Sequence, residues 1–405
     1  MSKKRILFVD DEPNILSGLK RMLRSMRKEF DLHFAENGKE ALAIMEETEF
    51  DVVVSDMRMP GMDGAQLLAK IQEIHPYSIR IMLTGQANEE SIMQTVGVVH
   101  QFLAKPCEPE HLKAVLLRAS GLHELISHAS LRKIVSQLGT LPSLPEVYEK
   151  LRKAMADPEV SVADVAAIIG EDMAMSAKVL QLVNSAFFGL FQKVESPGRA
   201  VNLLGLETVK NLVLGVGAFS EINASSKIFS VKKLWAHSMT VATLAKKIAL
   251  EESDDVELID NTFIAGLLHD IGKLVLLAQM LKHYEKAVEI ANEQGIQLRK
   301  AEKEIFDTVH GDIGAYLMGL WGMPGPVVEA IGFHHHIDNY PGSDFNPTIA
   351  VHVANALYYE SRPDEIVGAP HAMDTVHLQS LGLGDKIARW RELSTEFFEQ
   401  DSNDD

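Results

Sequence analysis

Through the first hundred residues, short apolar runs alternate with amphipathic stretches. The runs are Ile6–Val9, Leu32–Phe34, Val52–Ser55, Ile79–Leu83 and Val98–Leu103. Between them, apolar residues recur three and four apart, as at Ile15, Leu19, Met22, Leu23 and Met26, and again at Ala41, Leu42 and Met45. That spacing places them on one buried helix face. Strand and helix in alternation predict five βα units, a parallel sheet covered by helices on both faces.

From Glu108 the strand signals stop. Leu112, Val115, Leu116, Ala119, Leu122, Leu125, Ile126, Ala129, Ile134 and Leu138 carry the apolar pattern of one long helix. Its end is expected near Gln137, where Gly139, Pro142 and Pro145 follow. A helix of ~25–30 residues spans ~40 Å and would hold two domains apart yet coupled. It is either a spacer or, since the spacing only drifts around a heptad, a coiled coil forming a homodimer. After Pro145 the pattern is helical throughout, with no alternating strand pattern of any length. Residues 399–405 are acidic and nearly without apolar side chains, which predicts a solvated tail. The expected plan is an α/β domain at 1–120, a helical linker at 121–140, a helical domain at 141–345, a helical extension at 346–398 and the tail.

Two or three domains fit 405 residues, at roughly 100–200 residues each. Hydrophobic residues at 46% and charged residues at 24% describe a globular chain. The net charge of −18 repels phosphate backbones and anionic lipid, so neither direct DNA binding nor a membrane partner is expected. The single cysteine, Cys107, has no intrachain partner, in keeping with a reducing cytoplasm. The run Ile6–Val9 ends at Asp10-Asp11, too short for a signal peptide. The apolar stretches near 203–219 and 267–281 are interrupted by Glu207, Lys210, His269, Asp270 and Lys273, and read as core helices.

In an open parallel sheet, chemistry gathers at the carboxyl ends of the strands. Asp10 and Asp11 follow the first run, Asp56 ends the third, Thr84 ends the fourth and Lys105 follows the fifth. Three clustered carboxylates need a cation, and hard oxygen ligands suit Mg²⁺, which also neutralises phosphate oxygens. The segments Phe8-Val9-Asp10-Asp11-Glu12-Pro13, Ser55-Asp56-Met57-Arg58-Met59-Pro60-Gly61-Met62-Asp63-Gly64, Leu83-Thr84-Gly85 and Lys105-Pro106 together resemble the receiver domain of two-component response regulators. The resemblance covers residues 1 to about 120 and implies a flavodoxin-like, doubly wound five-stranded domain. It also implies phosphorylation of Asp56 by a sensor histidine kinase in a phosphorelay. By the same resemblance, Mg²⁺ is held by Asp10, Asp11, Asp56 and the backbone carbonyl of Arg58. Thr84, Lys105 and Phe102 respond to the phosphoryl group: its charge draws Thr84 in and frees space for Phe102.

Leu141-Pro142-Ser143-Leu144-Pro145-Glu146-Val147, Asp164–Gly170, Ser176-Ala177-Lys178-Val179-Leu180, Asn184-Ser185-Ala186-Phe187-Phe188-Gly189 and Ala200-Val201-Asn202-Leu203-Leu204-Gly205 look like an HDOD domain. That family is all-helical, related to the HD phosphohydrolases and regarded as non-catalytic signalling modules. HD enzymes bind one or two metals through histidine and aspartate, and the matching positions here are His237, His269, Asp270, His310, His334, His335 and Asn355. Six of the seven keep a ligand. The seventh, Asn355, is neutral and cannot supply an anionic oxygen. Two readings stay open: a residual Fe, Mn or Zn site, or histidines hydrogen-bonded in the core. After His334-His335-His336, Ile337-Asp338-Asn339-Tyr340-Pro341 lacks the glycine-rich signature of the cyclic di-GMP phosphodiesterases of the HD branch. The resemblance thus implies a response regulator with a non-catalytic output acting on an unknown downstream protein or nucleotide ligand. The alternative is a metal-dependent phosphodiesterase of cyclic di-GMP or a related nucleotide. Met173, Met175, Met318 and Phe187-Phe188 line either a partner groove or, as helical spacing favours, the core.

Overall fold

The structure is a computed structural model that describes residues 3–85, 98–125, 142–143, 145–155, 159–184, 196–214, 220–221, 230–340, 344–365 and 367–404, with isolated residues between them. Five strands, β1 (Lys4–Val9), β2 (Phe30–Ala35), β3 (Val52–Asp56), β4 (Ile79–Thr84) and β5 (Gln101–Ala104), form one parallel sheet in the order β2-β1-β3-β4-β5. Alternate residues of each strand feed opposite cores. Ile6, Phe8, Val52, Val54, Ile79 and Ile81 pack with Leu16 and Leu19 of α1 (Pro13–Met22) and Leu112 and Leu116 of α4 (Pro109–Leu125). Leu7, Val9, Val53 and Met82 pack with Ala41 and Met45 of α2 (Gly38–Glu47) and Leu67 and Ile71 of α3 (Gly64–Ile74). Strands buried on both faces are continuously apolar, which is why the runs are so plain in the sequence.

The differences from expectation are local. The helix expected to reach Met26 stops at Met22, and Arg24–Lys28 tightens into a 3-10 turn that still buries Met26. The fifth strand begins at Gln101 rather than Val98. A buried Arg80 holds the preceding segment instead, its Nε donating to Val98 O at 2.7 Å. The helix expected between β4 and β5 lies outside the described residues.

Among the described residues, the rest is helix and turn apart from a two-residue parallel pair, β6 (Pro142–Ser143) with β7 (Ser220–Glu221), which no pattern of useful length announces, and an isolated bridge between Gln297 and Gly368. An outer group comprises α5 (Pro145–Met155), α6 (Val162–Gly170), α7 (Met173–Val183) and α8 (Pro197–Leu214), the last bent at Gly205, where φ is 77°. An inner group comprises α9 (Val231–Glu252), α10 (Val256–Leu268), α11 (Ile271–Gln294), α12 (Leu298–Phe306), α13 (His310–Leu320), α14 (Gly325–Phe333) and α15 (Pro347–Ser361). Two further helices, α16 (Thr375–Ser380) and α17 (Ile387–Asp404), close the chain. Residues 399–404, expected as a solvated tail, continue α17, since nothing there breaks a helix already running. Val256–Gln294 is long and apolar enough by composition to cross a membrane, but 78% of its most apolar window is buried in this core. Met173, Met175 and Met318 are core residues, as helical spacing favours; Phe187 and Phe188 lie outside the described residues.

The two domains touch directly. Gln101 Nε2 donates to Gly319 O at 3.0 Å, Gln181 Nε2 donates to His100 O at 3.3 Å, and α4 packs against α13. The expected strut that would hold them apart is therefore corrected: the described helix runs through Gly121 to Leu125, and its flank lies on the helical domain rather than in solvent. The expected continuation of that helix to Gln137 falls, Val135 apart, on residues outside the description.

Candidate functional site

Two clusters of ionisable groups stand out, one at the sheet edge and one among the inner helices. In the sheet, strand order reverses between β1 and β3, and the crevice at such a reversal is where ligands bind. Asp10 directly follows β1 and Asp56 ends β3, so the register that pairs Val9 with Ser55 sets the two carboxylates side by side. Thr84 ends β4 and pairs with Ala104, one residue before Lys105. The Lys105 ammonium bridges both carboxylates, at 2.6 Å from Asp10 Oδ2 and in contact with Asp56 Oδ1. Burial alone would lower the lysine pKa, but the hydrogen bonds and charges of Asp10 and Asp56 outweigh it and raise it.

The remaining carboxylate oxygens are held by backbone. Asp10 Oδ1 accepts from Glu12 N–H at 3.0 Å, and Asp56 Oδ2 accepts from Arg58 N–H at 2.9 Å. Asp11 is only partly buried and lines an open depression of about 490 Å³ with Met57, Arg58, Met59 and Asp63. Three carboxylates against one ammonium leave a local charge that fits a divalent cation of the Mg²⁺ kind. The loop that carries Arg58 is pinned at Gly64, whose N–H donates to Met57 O at 3.0 Å. A Cβ there would stand 2.1 Å from Asp56 O, so only glycine fits.

Thr84 Oγ1 lies 3.7 Å from Met57 Sδ, a weak acceptor it can leave readily. Phe102 is already 6% exposed, packed in the apolar cluster beneath β1 and β3. Any response of this ring to Asp56 is thus a change of neighbours, not a withdrawal from solvent.

The second cluster is built from helix ends. His237 projects from α9; His269 and Asp270 form the junction of α10 and α11; His310 opens α13; and His334 and His335 close α14. These six form two groups that share Asp270: His237 and His269 on one side, His310, His334 and His335 on the other. Gly272 makes the junction possible, because a Cβ there would lie 1.9 Å from His310 O. Asn355 is 1% exposed on α15, with Oδ1 lacking a hydrogen-bond partner.

Hydrogen bonding fixes the rings. The Nδ1 atoms of His269 and His334 face the carbonyls of Gly266 and Ile331, each at 2.7 Å, so Nδ1 carries the proton and Nε2 presents a lone pair. His310 Nδ1 donates to Glu302 Oε2 at 2.7 Å. Such outer partners orient metal-ligating histidines. Burial, and then neighbouring imidazoles, push His237 and His334 well below the usual histidine pKa. His310 moves the other way, since the charge of Glu302, which its Nδ1–H meets, and the nearby Asp270 carboxylate outweigh its burial. Burial alone would raise the Asp270 pKa, but its polar surroundings, with the Lys273 ammonium 2.7 Å from Oδ2, hold it well below the usual carboxylate range. A buried anion, imidazoles that burial keeps neutral at His237, His334 and His335, and unpartnered atoms at Asp270 Oδ1 and His334 Nε2 form a donor set that fits a transition metal.

Sequence reasoning missed four participants. Glu302 sits eight residues before His310 in another helix, where no spacing rule looks. Tyr358 and Tyr359 flank His237, with ring centroids 4.3 and 5.1 Å away, and His371 approaches His335 at 4.6 Å. All three aromatic groups come from the region after residue 345, and only an unusual density of His and Tyr there hinted at them. A pocket of about 280 Å³ opens over the cluster, with Lys233, Lys273, Arg299 and His371 among its walls.

Comparison with known proteins divides the chain at the same place. Residues 6–117 match the response regulator receiver domain, and residues 141–337 match the HDOD domain. The chain is similar to an uncharacterized protein from Treponema pallidum (strain Nichols), 30% identical over 54% of this chain and 42% of that one. It is also similar to the transcriptional regulatory protein GlrR of Escherichia coli (strain K12), 36% identical over 26% of this chain and 24% of that protein. The chain thus spans less than half the length of these relatives. Among solved structures, the MmoQ response regulator of Methylococcus capsulatus str. Bath is 22% identical, covering 62% of this chain and 98% of its own, with a TM-score of 0.47.

Proposed function

The chain is a response regulator that joins a receiver domain to an HDOD domain, and from that premise we propose that Asp56 is phosphorylated and that the helical domain relays the change without hydrolysing a substrate. A receiver domain implies a histidine kinase as phosphodonor and, in general, Mg²⁺. Here Asp10, Asp11, Asp56 and the carbonyl of Arg58 would hold the ion, which supplies charge neutralisation for the phosphoryl oxygens. The observation that carries the reading is the Lys105 ammonium bridging Asp10 and Asp56 at the strand-order reversal. The Asp56 carboxylate attacks the phosphorus of the kinase phosphohistidine, the P–N bond breaks as the acyl phosphate forms, and the imidazole leaves with the electron pair; Lys105 pairs with the arriving charge, and Thr84 leaves Met57 Sδ for a phosphoryl oxygen. A small phosphodonor with Mg²⁺ is expected to add one phosphoryl group by intact-mass analysis, and Asp56→Asn to add none. An equal adduct in Asp56→Asn would reject the assignment.

For the helical domain we propose a bound transition metal without hydrolysis. The orphaned Asp270 Oδ1 and His334 Nε2 support the metal; the neutral Asn355 and the missing glycine-rich signature after His336 argue against turnover. One observation favours the rival reading, a phosphodiesterase of cyclic di-GMP or a related nucleotide: the pocket above the cluster offers Lys233, Lys273 and Arg299 to a phosphate, although Asp270, Asp364 and Glu365 line it too. An assay of cyclic di-GMP with metal-loaded protein is expected to show no turnover above that of His269→Ala. Robust hydrolysis that disappears in His269→Ala establishes the rival.

A further inference from the structure

Asp270 divides the buried cluster into two unequal halves. On its Oδ1 side lie His310 Nε2 at 3.3 Å and His334 Nε2 at 3.8 Å, with His335 Nε2 3.0 Å from His310 Nε2. Two of these atoms, Asp270 Oδ1 and His334 Nε2, have no hydrogen-bond partner although the residues are fully buried. The His334 ring cannot turn its proton inward, because Nδ1–H is committed to Ile331 O. Two lone-pair acceptors therefore face each other with no proton between them, an arrangement that a cation resolves and a hydrogen bond does not. Ligands bound at ~2.0–2.2 Å around one ion stand roughly 3.0–3.6 Å apart. The separations on this side bracket that range.

The Oδ2 side already contains its cation. Lys273, one turn into α11, places its ammonium 2.7 Å from Asp270 Oδ2, and its side chain is 9% exposed. The two imidazoles there also need no ion. His269 Nε2 is an acceptor, His237 Nδ1 has no partner, and a proton on His237 Nε2 completes an ordinary hydrogen bond across the 3.2 Å between them. A divalent ion bound to the same oxygen would stand against a tethered positive charge where burial weakens solvent screening.

We propose that Lys273 takes the place of a second metal ion, so that the helical domain holds a single ion on Asp270 Oδ1, His310, His334 and His335. This rests on the reading above that the cluster binds metal at all. Its consequence is chemical: the two-ion clamp that stabilises both attacking and leaving oxygens in an in-line displacement is never assembled. The site then serves as a pin for the ends of α10, α13 and α14.

The test is a count of tightly held zinc in the full chain, stripped with chelator, reloaded, and desalted in excess Mg²⁺ so that the receiver carries no zinc. One equivalent is expected. His334→Ala should lose it, and His237→Ala should keep it. Lys273→Gln, which retains bulk and polarity, should rise to two, and adding His237→Ala should return it to one. None in the unaltered chain overturns both the metal reading and this inference. Two in the unaltered chain overturns the inference and leaves the metal reading standing. Should Lys273→Gln stay at one while its circular dichroism and Asp56 phosphorylation match the unaltered chain, the lysine is not the substitute. If that variant does not fold, the count in the unaltered chain and in His237→Ala still decides.

Discussion

Lys178 places a charge where the hydrophobic pattern leaves no room for one. It lies on α7, 1% exposed, with its ammonium 4.8 Å above the Trp321 ring. Burial lowers its pKa to about 7. A lysine whose folded pKa is depressed binds fewer protons folded than unfolded between that value and about 10.5, so this group's contribution to stability improves as pH rises through the window. Its cost is fully present below it. Lys178→Met is therefore expected to stabilise the chain by roughly 1–3 kcal/mol near pH 6, discounted for the lost ring contact, and by much less near pH 10. Urea unfolding at the two pH values measures the difference; an equal effect at both refutes the argument. Gly272 makes the opposite point, because its replacement adds too much. Gly272→Ala forces α11 away from His310 O and should cost about 1–3 kcal/mol while lowering zinc retention.

At the scale of elements, legibility followed locality. The strands could be read because the central ones, β3 and β4 above all, are buried on both faces and nearly all apolar, while β2 at the sheet edge is half-exposed and shows only a short run; the edge chemistry followed because strand ends carry it. His269-Asp270 could be read because both ligands and Gly272 belong to one helix junction. Glu302 could not, because its bond to His310 joins two helices whose packing no periodicity encodes. Nor could Lys273 be assigned a role, since its meaning depends on which oxygen of Asp270 it reaches. The contacts of β5 with α13 and of α7 with His100 were also hidden, as Gln101 and Gln181 look like surface residues until the two domains meet. Each of these buried amide hydrogen bonds contributes about 0.5–1.5 kcal/mol. Gln101→Ala with Gln181→Ala is expected to raise amide exchange along α7 and α13 without preventing phosphorylation of Asp56. Unchanged exchange there implies that the contact is not formed in solution.

For the whole molecule, the question is how the state of Asp56 reaches the helical domain. Phe102 and Gln101 are neighbours on β5: the first packs in the apolar cluster below the sheet edge that carries Asp56, and the second donates to Gly319 O near the end of α13. A shift of the Phe102 side chain therefore acts on the interdomain contact one residue away, with no helix needed as a lever. This inverts what a rigid linker requires. If a continuous helix transmitted rotation, inserting two residues near Ser120 would turn everything beyond by ~200° and uncouple the domains, whereas seven residues, close to two full turns, would be tolerated. With the faces docked directly, coupling needs no continuous helix beyond Leu125, and added chain length alone changes closure cost by well under ~1 kcal/mol for such insertions. Insertions of two and of seven residues within 126–134 should then retain phosphorylation-dependent exchange in α13 to the same extent, while the Gln101→Ala, Gln181→Ala variant loses it with an unaltered linker. Tolerance of seven but not two, with coupling intact in the glutamine variant, would return the signal to the linker helix and remove the docked faces from the mechanism.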